Sequence, residues 1–156
     1  MGCGSGRNAL YLADLGFDVT AVDNNPNGLG GLRSIMEQEG ITRITPRLYD
    51  INAAELEGPY DFIACTVTLM FLDPARIPAV IGNMREATAP GGYNLIVAAM
   101  STERHPCPVG FPFTLREGEL RDYYAGWELL KYNENLGTLH NGAQMQFATM
   151  LARKPA

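Results

Sequence analysis

Hydrophobic and polar positions along the chain switch repeatedly between two spacings. "RNALYLADLG" places Ala9, Leu10, Leu12, Ala13 and Leu15 on one broad apolar face, the spacing of an amphipathic helix, and Gly16 supplies a C-cap. "FDVTAVD" then alternates apolar and polar residues and runs into Asp23, which predicts a strand ending in an acid. A turn-rich "NNPNG" follows, and "NGLGGLRSIMEQEG" has helical spacing in its second half. Gly28, Gly30 and Gly31 argue against helix in its first turn, each being about 1 kcal/mol worse than Ala in a helix interior. "TRITPRLYDI" predicts a second strand ending in an acid, Asp50; Pro46 lacks an N–H and places this strand at a sheet edge or a bulge.

"YDFIACTV" is a nearly continuous apolar run, as expected of a parallel strand covered on both faces. Asp73 and Pro74 supply an N-cap and a first-turn proline for a helix reaching about Ala89, and "APGGYNLIVAAM" predicts a turn and another buried strand. "TLREGELRDYYAG" carries a capping-box pattern, Thr114 with Glu117, for a helix stopping near Gly126. "WELLKYNENLGTLHNGAQMQFATMLARK" predicts two strands around a turn centred on Asn141-Gly142. The alternation of strand and helix implies an α/β fold with a mainly parallel sheet, closed by a C-terminal antiparallel hairpin.

The chain has 156 residues, 46% hydrophobic and 19% charged, which is ordinary composition for one domain over residues 1–156 with a real core. A formal charge of -5 without a basic run gives no electrostatic footprint for nucleic acid or anionic lipid and favours a small-molecule partner. No apolar run reaches the roughly 18 residues of a membrane span, and no charged and apolar leader opens the chain. Cys3, Cys65 and Cys107 are scattered without CxxC spacing, which fits a reducing cytoplasm, buried or incidental thiols, and no disulfide or metal framework.

"MGCGSGRN" admits two readings. Met-Gly-Cys suggests lipidation, but the myristoylation pattern wants Ser or Thr at the sixth position, where Gly6 stands, and one acyl chain without a polybasic patch anchors only marginally. Gly-Cys-Gly-Ser-Gly alternatively forms a loop whose glycines let backbone amides approach a ligand, ahead of a helix N-terminus near Arg7 that favours an anion. Asp23, about 20 residues on at a strand end, gives this second reading its weight, because a carboxylate there accepts from both ribose hydroxyls. A dinucleotide fingerprint asks for G-x-G-x-x-G, whereas the third glycine here comes earlier, so a nicotinamide oxidoreductase is disfavoured.

The glycine spacing resembles motif I of class I S-adenosylmethionine-dependent methyltransferases, and Asp50-Ile51, Tyr60-Asp61 and Pro90-Gly91-Gly92 match that superfamily's later landmarks in order. "GCGSGRNALYLA", "YDFIACTVTLMFL", "PGGYNLIVAAM", "CPVGFPF", "EGELRDYY", "GWELLKYNE" and "QFATMLARK" together resemble bacterial tellurite methyltransferases of the TehB type over nearly the whole chain. The resemblance implies a doubly wound, Rossmann-like sheet and methyl transfer from S-adenosyl-L-methionine to tellurium and selenium oxyanions in the cytoplasm, conferring tellurite resistance. It implies that Gly2, Cys3 and Gly4 meet the methionine part of the cofactor and that Arg7 and Asn8 begin the supporting helix. Asp23 would hold the ribose with Asn24 beside it, Asp50 and the Ile51 amide would read the adenine, and Thr66 and Val67 would line the cofactor near the methyl. His140 corresponds to a histidine near the family's active site; a surface turn histidine is the competing reading. Met70 and Phe71 read as packing residues, and Arg104 and His105 as solvated loop charges.

Two departures bear on function. The family's N-terminal helical segment and first strand, ending in Asp-Leu before Gly-Cys-Gly, have no counterpart here, which implies a truncated domain whose opened sheet favours self-association as a homodimer. After His140 the family continues with Arg and a longer basic hairpin, whereas this chain reads "HNGAQMQF". The expected function is therefore oxyanion methylation, with methylation of another small nucleophile such as a thiol, or a catalytically silent fragment, as alternatives.

Overall fold

A computed structural model describes residues 1–139 and 141–156, and the chain forms two compact units, Met1–Ile51 and Asn52–Ala156.

The first unit runs α1 (Arg7–Asp14), β1 (Val19–Asp23), α2 (Pro26–Glu39) and β2 (Ile44–Leu48). β1 and β2 pair in parallel, with Val19 opposite Ile44 and Asp23 opposite Leu48. Ala9, Ala21, Leu32 and Ile44 are buried together, and Leu10, Ala13, Val19, Met36 and Ile41 pack around them. α1 ends as its sequence predicts: Gly16 is left-handed, its N–H reaches the Ala13 carbonyl, and the Phe17 N–H reaches the Leu12 carbonyl, which closes a Schellman cap. Pro46 sits opposite Ala21 on β2, whose one strand partner among the described residues is β1, so the expected edge placement holds.

α2 corrects the expectation drawn from its glycines. Helix begins at Pro26, because the Asn25 side chain accepts from the Asn27 and Gly28 N–H groups and Pro26 takes the first helical position. The asparagine cap and the proline outweigh glycine's intrinsic cost.

The second unit contains β3 (Tyr60–Thr66), α3 (Ile77–Glu86), β4 (Thr88–Ala99), α4 (Glu119–Tyr123), β5 (Glu128–Thr138) and β6 (Gln144–Arg153). Strand order is β3-β4-β6-β5; β3 and β4 are parallel, and β6 runs antiparallel to both of its neighbours. The predicted hairpin is therefore present, with Asn141 accepting from the Ala143 N–H and Gly142 left-handed at its tip.

Three local expectations change. The segment after Asp73 starts as a 3-10 turn, Pro74–Arg76, and α3 stops at Glu86 rather than Ala89, because Thr88 already pairs with Tyr60. Pro90-Gly91-Gly92 forms a bulge within β4 rather than a turn before it; a Cβ on Gly92 would lie 2.9 Å from the Asp61 carbonyl oxygen. The capping box at Thr114 does not form. Leu115 instead pairs with Met100 beyond β4 and is fully buried, so α4 starts only after Gly118, which is left-handed. Glu119 caps backward, accepting from the Arg116 N–H at 2.9 Å.

The two faces of this sheet differ. Ile63 and Cys65 of β3, Ile96 and Ala98 of β4, and Ala148 and Met150 of β6 are buried, as are Ile77, Val80, Ile81 and Met84 of α3 and Leu120 and Tyr124 beside them in the core. On the opposite face Phe62, Ala64 and Thr66 are only half-buried, so β3 is not fully covered on both sides as its apolar run suggested. A polar thread crosses the buried side: the Tyr124 hydroxyl donates to Asn94 Oδ1 at 2.7 Å, Asn94 Nδ2 to Thr88 Oγ1 at 2.6 Å, and Thr88 Oγ1 to the Met84 carbonyl at 2.6 Å. Arg85 lies against the Tyr124 and Trp127 rings, and Lys154 Nζ closes the end of α3 by donating to the Arg85 and Thr88 carbonyls.

Burial pushes the Tyr124 phenol well above its ordinary range, with Cys65 adding to the push and Arg85 opposing it. Tyr132 is raised likewise by burial and by Glu134, which accepts its hydroxyl proton. A raised phenol binds its proton more tightly in the folded state, so its contribution is complete below the unfolded value of about 10 and is lost as pH rises beyond it. Urea unfolding between about pH 7 and 11 is expected to show falling stability above about pH 10. Tyr124→Phe flattens part of that fall and costs about 1–2 kcal/mol at neutral pH by leaving the Asn94 oxygen unpaired.

Candidate functional site

In the first unit, Gly2, Gly4 and Gly6 all adopt left-handed backbone, with φ of 65, 53 and 97°. Such angles are inexpensive only for glycine. The Gly6 N–H closes the loop onto the Cys3 carbonyl at 2.8 Å, and the Cys3 N–H reaches the Val22 carbonyl at 3.0 Å, which lays the loop along β1. A Cβ on Gly6 would overlap the Leu32 side chain.

Asp23 organises what surrounds this loop. Its Oδ2 accepts from the Gly4 N–H at 2.7 Å and its Oδ1 from the Asn25 N–H at 2.9 Å, while its carbonyl accepts from the Tyr49 N–H. A carboxylate offers about four lone-pair positions, so two remain for hydroxyl donors such as those of a ribose. Gly28 completes the arrangement: a Cβ there would stand 3.0 Å from the Gly4 carbonyl carbon and oxygen, so a side chain at 28 would press on the glycine loop where the first turn of α2 approaches it.

The remaining predicted residues of this unit gather nearby in part. Asn24 is exposed next to Asp23, and Asp50, also exposed, and buried Ile51 follow β2 at the same end of the parallel pair. Arg7 opens α1, exposed, and Asn8 is half-buried; α1 has no side-chain cap at Gly6 and no acid in its first turn, which leaves its N-terminus suited to an anionic group. Burial, followed by the charge of Asp23, pushes the Cys3 thiol up, so Cys3 is not a ready thiolate. These groups fit a nucleoside cofactor bearing a carboxylate: hydroxyl acceptors at a strand end, a glycine-rich loop and a helix N-terminus.

In the second unit Thr66 ends β3 and Val67 follows with φ 56°, held by its N–H bond to the Val97 carbonyl at 2.7 Å. A β-branched residue in that region costs of order 1–3 kcal/mol, a strain that concentrates at functional sites. Val67 is 47% exposed. Met70 is buried as expected of a packing residue, whereas Phe71 is 61% exposed and makes a T-shaped contact with Phe111, which corrects its assignment to the core. Arg104 is exposed, His105 is half-buried in the same loop, and His140 lies outside the described residues. Cys107 is half-buried, with its sulfur 3.6 Å from that of Met145. Among the described residues no three His, Cys, Asp or Glu side chains gather to hold a metal, and no helix is long and apolar enough to cross a membrane.

Sequence reasoning passed over Asn25, Gly28 and the strain at Val67. Asn25-Pro26 carried a usable signal, the pairing of a capping residue with a first-turn proline, while the Gly28 contact and the Val67 backbone angle leave no local signature.

The family described as Tellurite resistance protein TehB matches residues 1–151. The chain belongs to the TehB family. A probable S-adenosyl-L-methionine-dependent methyltransferase TehB of Haemophilus influenzae is 54% identical over 160 residues, covering 99% of this chain and 56% of that protein. Hemagglutinin 1 of Eikenella corrodens is 47% identical over 161 residues, covering 99% of this chain and 53% of that protein. The chain thus spans about half the length of the curated relatives it matches. The crystal structure of TehB from Haemophilus influenzae superposes with a TM-score of 0.94 at 55% identity, over 98% of this chain and 55% of that one. The class I methyltransferase α/β fold, a mixed sheet with antiparallel C-terminal strands, is therefore shared with TehB. The N-methyltransferase NodS from Bradyrhizobium japonicum, solved with S-adenosyl-L-homocysteine, shares the fold alone at a TM-score of 0.77 and 18% identity.

The three glycines of α2 separate packing from propensity. Gly30→Ala and Gly31→Ala, with open space at the added Cβ, are expected to raise stability by up to about 1 kcal/mol. Gly28→Ala is expected to lose that gain to its clash with Gly4 and to lower the melting temperature, as calorimetric unfolding of the three variants would show.

Proposed function

We propose that this chain is the S-adenosylmethionine-binding part of a methyltransferase acting on a small nucleophile. The observation that carries this reading is the bond from the Gly4 N–H to Asp23 at 2.7 Å, which couples a glycine-rich loop to a strand-end carboxylate with acceptor capacity to spare. When bound, the cofactor supplies a sulfonium methyl, already a good electrophile. The chain's part is positioning: Asp23 would receive ribose hydroxyls, the Gly2–Gly4 loop and the start of α1 would receive the amino-acid end, and Asp50 and Ile51 after β2 would hold the base.

Family membership supports tellurium and selenium oxyanions as the methyl acceptors. The hairpin supports a second reading, a thiol, because residues 141–149 contain no Lys or Arg to meet an oxyanion.

Calorimetric titration of the 156-residue chain with S-adenosylmethionine and S-adenosylhomocysteine is expected to give saturable micromolar binding. Asp23→Asn is expected to weaken it at least about tenfold, or about 1.4 kcal/mol, because the substituted amide presents a donor to the Gly4 or Asn25 N–H. Absence of saturable binding by the unsubstituted chain would sink the proposal. S-adenosylhomocysteine formation with tellurite, selenite and thiols then separates the acceptor classes.

A further inference from the structure

Within the first unit, Gly4 is held from three directions. Its N–H donates to Asp23 Oδ2 at 2.7 Å, its carbonyl oxygen lies 3.6 Å from the Cys3 thiol, and the first turn of α2 packs against its backbone. A Cβ at Gly28 would stand 3.0 Å from the Gly4 carbonyl carbon and oxygen and 3.4 Å from its Cα. A Cβ on Gly4 itself would meet no atom within 4 Å beyond its chain neighbours, among the described residues, so the other side of the loop is open to a ligand.

Asn25 sets how closely that turn approaches. Its N–H donates to Asp23 Oδ1 at 2.9 Å, and its Oδ1 accepts from the Asn27 N–H at 3.0 Å and the Gly28 N–H at 3.4 Å. Asp23 therefore receives the glycine loop through one oxygen and the start of α2 through the other, and Gly28 closes this ring of contacts by meeting Gly4 directly. Non-bonded carbon atoms settle about 3.5–4.0 Å apart, so a methyl group at 28 would force the two backbones apart by about 0.5 Å. A displacement of that size spoils a short hydrogen bond such as the one from Gly4 to Asp23. Helix propensity favours Ala at 28, 30 and 31 alike, yet an added Cβ meets another backbone only at 28.

We propose that Gly28 is a positioning residue: its bare backbone sets the place of Gly4 for the amino-acid end of the cofactor, and Asn25 holds it there through the α2 cap. The proposal rests on the cofactor-binding reading above and names what tunes that site. When Gly4 is displaced, Asp23 keeps its bond from Asn25, so the ribose end is disturbed less than the amino-acid end.

The test is calorimetric titration of the full 156-residue chain with two ligands, S-adenosylhomocysteine and 5′-methylthioadenosine. The second carries the same nucleoside and thioether but lacks the amino-acid chain. Gly28→Ala is expected to weaken S-adenosylhomocysteine at least about tenfold and 5′-methylthioadenosine by less than about threefold. Gly30→Ala and Gly31→Ala, the same change on the same helix with open space around it, are expected to leave both affinities unchanged. Asn25→Ala is expected to show the selective loss in milder form, and Asn25→Ser, which retains a capping oxygen, to restore binding. Partial unfolding lowers the apparent affinity for both ligands alike, so the ratio between them reports position rather than stability. Unchanged binding by Gly28→Ala, an equal loss for both ligands, or the same selective loss in Gly30→Ala or Gly31→Ala would overturn the proposal while leaving the cofactor reading intact. Failure of the unsubstituted chain to bind either ligand would overturn the two together.

Discussion

The Asp23 carboxylate is the constraint on which the first unit's loop geometry rests. β1 and β2 are parallel, so the segments that leave their C-terminal ends emerge on one edge, and their backbone N–H groups have no strand to pair with there. The Asp23 side chain resolves this for Asn25, received at 2.9 Å as the chain leaves β1, and also receives Gly4 of the loop before α1 at 2.7 Å. Asn25, fixed in this way, caps α2 through Asn27 and Gly28. The cap aims the first turn of α2 at the glycine loop, where Gly28 meets the Gly4 backbone. A carboxylate at 23, a short capping side chain at 25 and a bare backbone at 28 are thus a single requirement met at three positions.

This explains which parts of the molecule could be read in advance. The strand ending in Asp23, the glycine loop and the hairpin around Asn141-Gly142 announce themselves through short-range chemistry: alternation, left-handed backbone and turn residues. Position 28 does not, because its glycine answers to a residue far away in sequence, and intrinsic propensity alone argues against the helix that forms there. The capping box at Thr114 fails for a related reason. Leu115 gains more from complete burial beside Met100 than the segment would gain from an earlier helix start, so tertiary pairing overrides a correct local signal. Candidate site residues divide along the same line: Gly2, Gly4 and Asp23 were legible, whereas Val67 was named only through family resemblance and its strain appears only in the folded backbone.

The second unit places its polar groups unequally on the two sides of one sheet. On the buried side every member of the Tyr124–Asn94–Thr88 thread is bonded to the next, as the cost of an unpaired buried polar group demands. On the other side Asn133, Asn135 and Thr149 stand among Val97 and Phe147 with no side-chain hydrogen bond among the described residues. In a hydrophobic core such groups would be destabilising; at a half-open face water satisfies them, and a ligand can replace that water if it returns the bonds.

Charge then separates the acceptor readings more sharply than shape does. Recognition of an oxyanion needs donors that carry charge or converge from several backbone amides, and residues 141–149 of the hairpin contain no Lys or Arg. Belonging to the TehB family fixes the scaffold, while what such a scaffold acts on is decided by the side chains placed on it.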